Sequence, residues 1–338
     1  MIFVFDDTFT FFYLLVMSNN TWEDKYIEYL NFISTEIDRS LSIVIFFFGV
    51  LGNIANIIVL SQRTLRRNPC AWLFLMSSIA NLISLLFGLS TRILAGWSKD
   101  PTEHISWACK CRSFLLFTSR TVAFWLIAFA TINRALASSR NVRHRQINTL
   151  KNVQIYSLAI VLLSIIIYSH TFYCYEANLT DSPLKCYGNT VACRIISDLF
   201  YGWFSIIIPL ILMTIFGIKT VVHIRQSQRR IHNTTISHQR QAYWTKKDHS
   251  LLLMLCIQII IQAVLTLPQV CSKFYISLTI SQLQKPLKLT VDHSLYNLTL
   301  LLSFIANTTP FYVYTLFGGH VFRKSLIDLI KKKLCFFQ

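Results

Sequence analysis

The chain has 338 residues, of which 54% are apolar and only 14% are charged, and its formal net charge is +17. This composition is too apolar for soluble domains of that length, and it indicates an integral membrane protein. The positive charge lies in short segments between apolar stretches, where membrane orientation explains it more simply than nucleic-acid binding does.

Seven apolar segments follow one another along the chain, each about as long as a helix needs to cross the hydrocarbon core of a bilayer. We predict membrane spans at residues 40–61, 70–95, 109–136, 152–174, 198–222, 250–276 and 295–318. No repeat or low-complexity tract divides them. The sequence therefore predicts one all-α domain, a seven-transmembrane helix bundle at 40–318, with an N-terminal segment at 1–39 and a tail at 319–338.

The basic residues predict the orientation of the bundle. The last turns of the first, third, fifth and seventh spans and the segments that follow them contain 20 of the 32 Lys and Arg residues but only two acids, Asp248 and Asp328. Because basic loops are retained in the cytoplasm, the N-terminus is predicted to be extracellular and the C-terminus cytoplasmic. The glycosylation motifs at Asn19 and Asn178 then lie outside, where glycans are added.

Polar residues and prolines inside the spans form a recognisable series. Gly52 and Asn53 are adjacent in the first span, and Cys109 precedes Arg134 by 25 residues in the third. The last three spans contain one proline each: Pro209, Pro268 and Pro310. In order and spacing, the chain from about residue 40 to 334 resembles the rhodopsin-like family of G-protein-coupled receptors, and it looks most like invertebrate neuropeptide receptors of the FMRFamide type.

The resemblance implies a plasma-membrane receptor, not an enzyme, that binds an extracellular ligand and activates a heterotrimeric G protein. It also implies a disulfide between Cys109 and Cys186, with Cys193 as the competing partner, and it leaves room for a second bridge among the other external cysteines. An amphipathic eighth helix is expected at 321–326. Cys335 follows three lysines and is expected to carry a lipid that holds the tail at the membrane.

Several positions depart from the family pattern. Asn81 stands where the family has an aspartate, which makes a tight sodium site doubtful, although Ser119 is expected beside it. Thr309 replaces the asparagine before the seventh-span proline, and Tyr314 follows that proline one residue off the family spacing. The polar core of the bundle is predicted to consist of Asn53, Asn81, Ser119, Thr309 and Tyr314.

Arg134, at the inner end of the third span, has two interpretations. An arginine at such a place is often only an anchor whose charge reaches the membrane surface. The resemblance instead implies that it exchanges an internal partner for the G protein on activation. The preceding residue, Asn133, cannot form a charge-assisted pair with it. We therefore hypothesise that Asp248, at the start of the sixth span, restrains Arg134 and that basal signalling is high.

Ionisable side chains at membrane depth predict a basic ligand pocket, since buried charges usually face a cavity or a partner. Arg120 is 14 residues before Arg134, nearly four helical turns, and so shares its face of the third span. Arg92 lies on the face of Asn81, although this residue and Lys273 could also reach the membrane surface. The predicted pocket residues are Arg92, Leu116, Arg120, Gln269 and Lys273.

The same positions narrow the ligand class. Leu116 occupies the place of the carboxylate that amine receptors of the family need, and residues 295–318 contain no lysine to bind retinal. A ligand with carbonyls or carboxylates, such as a short peptide, fits best. The acids of the segment 23–38 could attract a basic peptide such as an Arg-Phe-amide, or they could form a solvated tail.

Other functions remain as alternatives. One is a chemosensory receptor of the same fold for a small anionic or polar ligand. A transporter is less favoured, because the sequence lacks paired broken helices and rows of intramembrane acids. An intramembrane enzyme would need a catalytic pair or a zinc motif, which the sequence lacks. We expect no metal, no cofactor and no nucleic acid, and partners limited to the peptide, the G protein and membrane lipid.

Overall fold

A computed structural model gives the structure of the protein. It describes residues 4–97, 99–139, 143, 146, 148–179, 184–231, 238–279, 286–317 and 327, and for residues 4–21, 64, 227–231 and 238–252 it describes the backbone alone. The expected eighth helix at 321–326 and Cys335 lie outside the described residues, and so does the side chain of Asn19. Asp248 has a described backbone, but its side chain is not described.

Seven helical spans within the described ranges are long and apolar enough to cross a membrane, as predicted. They are Trp22–Leu60, Pro69–Gly96, Ser106–Ala137, Leu150–Cys174, Val191–Gln226, Leu253–Thr279 and Pro286–Leu316. The first, third, sixth and seventh spans belong to the single helices Val4–Leu60, Ser106–Ala137, His238–Thr279 and Pro286–Phe317. The all-α seven-helix fold is therefore confirmed.

The remaining spans are interrupted. The second consists of Pro69–Ser84, a π-helical segment Leu85–Leu89, and Ser90–Gly96. The fourth consists of Leu150–Tyr168 and Thr171–Cys174, and the fifth of Val191–Leu199, a π-helical segment Phe200–Ile207, and Ile208–Ile231. Two short helices, Arg63–Arg66 and the 3₁₀ turn Pro101–Glu103, lie between spans.

Helix ends differ from the predicted spans at several places, including both ends of the fifth span. The length of an apolar segment reflects membrane thickness, whereas caps and helix breakers determine where a helix ends. The first helix begins at Val4, in the segment that the sequence separated from the bundle, and neither Gly nor Pro interrupts it before Gly49. The sixth begins at His238, and the seventh at Pro286, where proline suits a first helical position.

Polar caps define other helix starts. The side chain of Asn68 accepts a hydrogen bond from the backbone N–H of Cys70. Thr149 and Thr190 do the same for the helices that follow them. Each cap satisfies one of the backbone donors that the first turn of a helix leaves open, so these three residues fix where the second, fourth and fifth spans begin.

The spans pack in a ring that closes between the first and the seventh. The third span also contacts the second, fourth and fifth. It is the most buried, with 67% of its apolar window buried against 22% for the fourth. The third span is thus the central helix of the bundle, and it extends from one end of the bundle to the other.

A two-stranded antiparallel hairpin follows the fourth span. Strand β1 (Tyr175–Glu176) pairs with β2 (Tyr187–Gly188), with Tyr175 opposite Gly188 and Glu176 opposite Tyr187. We call residues 175–179 and 184–190 the hairpin loop. The end of the bundle that carries it is called the disulfide end, and the opposite end the Arg134 end. A separate hydrophobic cluster fills each half, one around Phe117, Tyr201 and Phe304, the other around Leu73, Leu126 and Met254.

Candidate functional site

Two disulfides hold the hairpin loop at the disulfide end. Cys109, at the start of the third span, is bonded to Cys186, with their Cα atoms 5.6 Å apart. Cys174, at the end of the fourth span, is bonded to Cys193 in the fifth span. The pairing of Cys109 implied by the resemblance is thus present. Its competing partner, Cys193, forms the second bridge instead, which the sequence left open.

A cavity of about 40 Å³ lies beneath the hairpin loop, with room for only a few water molecules. The third span contributes Arg112, Leu116 and Arg120 to its wall, and the sixth contributes Lys273. Aromatic side chains form much of the rest of the cavity wall: Phe117, Tyr175, Tyr187, Tyr201, Tyr296 and Phe304. The sequence thus predicted three residues of this wall, whereas Arg92 and Gln269 lie outside it and Arg112 was not predicted.

Lys273 forms a buried ion pair with Asp198. Its Nζ lies 2.6 Å from Oδ1 of Asp198, and the two side chains are 4% and 1% exposed. The other carboxylate oxygen of Asp198 accepts hydrogen bonds from Ser277 (2.6 Å) and from the hydroxyl of Tyr187 (3.3 Å). Because the carboxylate is fully engaged, the positive charge of Lys273 is compensated inside the protein.

Aromatic rings surround the same ammonium group. The Nζ of Lys273 lies 5.3–5.7 Å from the ring centroids of Phe117, Tyr187, Tyr201 and Tyr296. Cation–π attraction adds to the pairing with Asp198. Burial also raises the pKa of the Tyr187 phenol, so this hydroxyl remains a donor to Asp198 at physiological pH.

The pair corrects two expectations. Lys273 does not extend toward the membrane surface, and it does not add a free positive charge to the pocket. Asp198 is the residue that sequence reasoning missed, although one signal was present: it is the only acid in the apolar segment 198–222, and intramembrane acids usually have a partner.

Arg120 is buried without an acidic partner in the described part of the chain. Its exposure is 2%, and neither Nε nor Nη2 makes a hydrogen bond. The guanidinium carbon lies 4.9 Å from the ring centroid of Phe304 and 5.6 Å from that of Tyr201. No acid in the described part of the chain lies within ion-pair distance of it.

The other predicted basic residue, Arg92, has local partners. It is 7% exposed, and its Nη2 lies 2.5 Å from the Oδ1 of Asn297 and 3.8 Å from a carboxylate oxygen of Asp38. This arginine therefore joins the second span to the first and the seventh. Gln269 is also buried, and its Oε1 accepts a hydrogen bond from Thr299 at 2.8 Å.

A polar connection links three spans near the middle of the bundle. Asn53 donates from Nδ2 to the backbone carbonyls of Gly49 (2.9 Å) and Asn307 (3.1 Å). The side chain of Asn307 in turn donates to Ser84 Oγ at 3.1 Å. Asn307 was not predicted here, because its position two residues before Thr309 does not match the family pattern.

Of the other predicted members of the polar core, Ser119 and Thr309 form hydrogen bonds within their own helices, and Tyr314 contacts another span. The hydroxyls of Ser119 and Thr309 donate to the carbonyls of Leu116 and Ala306 in their own helices, at 3.2 and 2.9 Å. Asn81 is buried, and Tyr314 packs on Phe74 with ring centroids 4.7 Å apart. The Asn53 side chain thus joins the first span to the seventh by a hydrogen bond.

At the other end of the third span, Arg134 contacts the second span. Its Nε donates to the thiol sulfur of Cys70 at 3.2 Å, and Cys70 is 2% exposed. Asn133 is buried, and its backbone carbonyl accepts a hydrogen bond from Asn148 at 3.3 Å. A sulfur atom is a weak acceptor for a guanidinium, so this restraint on Arg134 is modest.

The structure also describes the three prolines and the glycosylation motif at Asn178. Pro209 is the second residue of Ile208–Ile231, whereas Pro268 and Pro310 lie inside their helices. Asn178, in the hairpin loop, is exposed with φ 61°, a left-handed conformation that asparagine tolerates. Its Nδ2 donates to the carbonyl of His104 at 3.3 Å.

One comparison with known proteins gives a match. The model of the family described as 7 transmembrane receptor (rhodopsin family) matches residues 52–310, which is more than half of the chain. The search of curated proteins gave no match. The matched range begins at the Gly52–Asn53 pair and ends at Pro310, so it contains the cavity, both disulfides and Arg134.

Proposed function

Since the chain belongs to the rhodopsin family of seven-transmembrane receptors, we propose that it binds a short extracellular peptide at the disulfide end and activates a heterotrimeric G protein at the Arg134 end. The observation that carries the proposal is the cavity beneath the hairpin loop, lined by cations and tyrosines. Such a wall suits a ligand with several carbonyl groups.

The proposed orientation places the disulfide end outside the cell. Two disulfides lie at that end, and disulfides persist in the oxidising extracellular environment. The spans that precede the basic segments of the sequence end at the Arg134 end, as spans followed by cytoplasmic loops do. The ligand then enters beneath the hairpin loop, and the surface around Arg134 faces the G protein.

The third span provides the connection between the two ends. Arg120 lines the cavity and Arg134 lies 14 residues later on the same helix, about 21 Å along its axis. A ligand that binds two arrangements of the bundle with different affinity shifts their populations. We propose that the ligand favours the arrangement in which Arg134 leaves Cys70 and becomes available to the G protein.

A small anionic or polar ligand is the second candidate. The observation that favours it is the volume of the cavity, about 40 Å³, which would have to widen to admit even a dipeptide. The FMRFamide-type resemblance favours peptides.

Second-messenger output tests the proposal. Cells that express the chain would be exposed to a library of short peptides, each in free-acid and amidated form, and to small organic anions. A response that disappears in Arg134→Ala supports the receptor proposal. Arg66→Ala is the matched control, because Arg66 is an exposed arginine near the same end. Surface expression without any peptide response, together with a response to an anion, would favour the second candidate.

A further inference from the structure

The cations of the cavity differ in how their charge is balanced. Lys273 pairs with Asp198 at 2.6 Å, and Arg112 lies 3.9 Å from a carboxylate oxygen of Asp100. Arg120 has no acid within ion-pair distance in the described part of the chain. The described cavity wall therefore carries one uncompensated positive charge, and it belongs to Arg120.

The unpaired donors of Arg120 have a definite arrangement. Nε and Nη2, the two atoms without hydrogen bonds, form one edge of the planar guanidinium group. Two parallel N–H groups on such an edge match the two oxygens of a carboxylate. The buried hydroxyl of Tyr201, whose ring lies 5.6 Å from the guanidinium carbon, also lacks a partner. Both residues line the cavity.

Leaving these groups unpaired is costly. An isolated charge at membrane depth is among the least favourable placements for a side chain, and buried donors normally find acceptors. A neutral ligand oxygen would satisfy a donor but would not balance the charge. A carboxylate would do both.

We propose that the ligand of this receptor carries a carboxylate, which binds the Nε–Nη2 edge of Arg120 with the Tyr201 hydroxyl as a third donor. This inference rests on the proposed function, since it names the chemical group by which the same cavity recognises its ligand. A peptide ligand then has a free C-terminus or an acidic side chain at this position, and an amidated terminus does not fill it.

A binding experiment on the purified full-length receptor tests this without any signalling assay. The matched probes are N-acetylphenylalanine and N-acetylphenylalaninamide, which differ in the presence of the carboxylate. Each would be titrated to millimolar concentration while thermal unfolding is followed, because a ligand that binds only the folded state raises Tm with concentration. We expect the acid to bind at least about tenfold more tightly than the amide.

Variants assign the preference to one side chain. In Arg120→Gln the acid and the amide should bind about equally. Arg120→Lys should retain a reduced preference for the acid, because lysine keeps the charge but lacks the two parallel N–H groups of a guanidinium. Tyr201→Phe should weaken binding of the acid by a few-fold. Arg39→Gln is the matched control, since it removes an arginine at the same end of the bundle that does not line the cavity, and it should leave the preference in place.

The outcomes separate this inference from the proposed function. Equal binding of acid and amide by the wild-type receptor, no Tm change with the acid, or an acid preference that survives Arg120→Gln would overturn the inference, while peptide signalling could still stand. Removal of an uncompensated buried charge should not unfold the protein, and a ligand-free Tm of Arg120→Gln at or above that of the wild type would show that the variant is folded.

Discussion

The ammonium group of Lys273 in the sixth span lies 2.6 Å from the carboxylate of Asp198 in the fifth span, and the two residues are 75 positions apart in the chain. The pair joins two spans directly beside the cavity. Its removal or displacement therefore changes both the stability of the bundle and the charge that a ligand meets.

Asp198→Asn is expected to destabilise the receptor by roughly 3–5 kcal/mol, because it leaves the Lys273 charge buried and unpaired. Asp198→Asn combined with Lys273→Met should recover most of that loss, since it removes both charges and keeps similar volumes. Thermal unfolding of the purified protein measures each effect.

Lys185→Gln is the control for this prediction. It breaks the ion pair with Glu103 at 2.8 Å, in which the lysine side chain is 54% exposed. Exposed pairs contribute little, so the expected loss is less than about 1 kcal/mol. Similar losses for Asp198→Asn and Lys185→Gln would contradict the importance of the buried pair.

Removal of the second disulfide by Cys174→Ser and Cys193→Ser should also lower stability. The two cysteines are 19 positions apart, and closing a loop of that length restricts the unfolded chain by about 3 kcal/mol in the chain-entropy model. Thermal unfolding under non-reducing conditions measures the loss. Cys271→Ser, at an exposed free cysteine, should leave Tm nearly unchanged.

Cys70→Ala tests the restraint on Arg134 under the proposed function. Loss of the hydrogen bond between Nε and the thiol should favour the active arrangement by about 1 kcal/mol, which corresponds to about a fivefold increase in its population. Ligand-independent second-messenger output, normalised to surface expression, measures this. Cys256→Ala in the sixth span is the control, and equal output from both variants would refute the restraint.

Asn307→Ala should destabilise the bundle by roughly 1–2 kcal/mol, because the buried hydroxyl of Ser84 loses its donor. Thr309→Ala should cost less, since that hydroxyl bonds only within its own helix. Thermal unfolding compares the two variants. A larger loss for Thr309→Ala would show that the family position, and not Asn307, supports the polar core.

The sequence predicted the seven spans well because the thickness of a membrane imposes a length of apolar chain that can be read directly. Helix ends were less predictable, as the starts at Val4, His238 and Pro286 show. Partners distant along the chain were the least predictable. The spacing of cysteines does not determine their pairing, and nothing in the local sequence joins Asp198 to Lys273.

The residues of the candidate site were likewise predictable where the sequence carries a local signal and unpredictable where they depend on packing. Arg120 and Lys273 were found because charge at membrane depth is unusual in itself. Leu116 was found because it occupies the place of the carboxylate that amine receptors of the family need. The neutralisation of Lys273 was missed because it depends on how the fifth and sixth spans pack. The contact of Arg134 with Cys70 was missed for a similar reason, since a buried cysteine ordinarily indicates packing alone.

The two disulfides determine how the hairpin loop can behave over time. Cys174 directly precedes strand β1 and Cys186 directly precedes strand β2, so each strand starts at a covalent anchor. Such a loop cannot swing open as a hinged cover. Little conformational entropy remains for its strands to lose when a ligand arrives, so ordering of the hairpin loop adds little to the cost of binding.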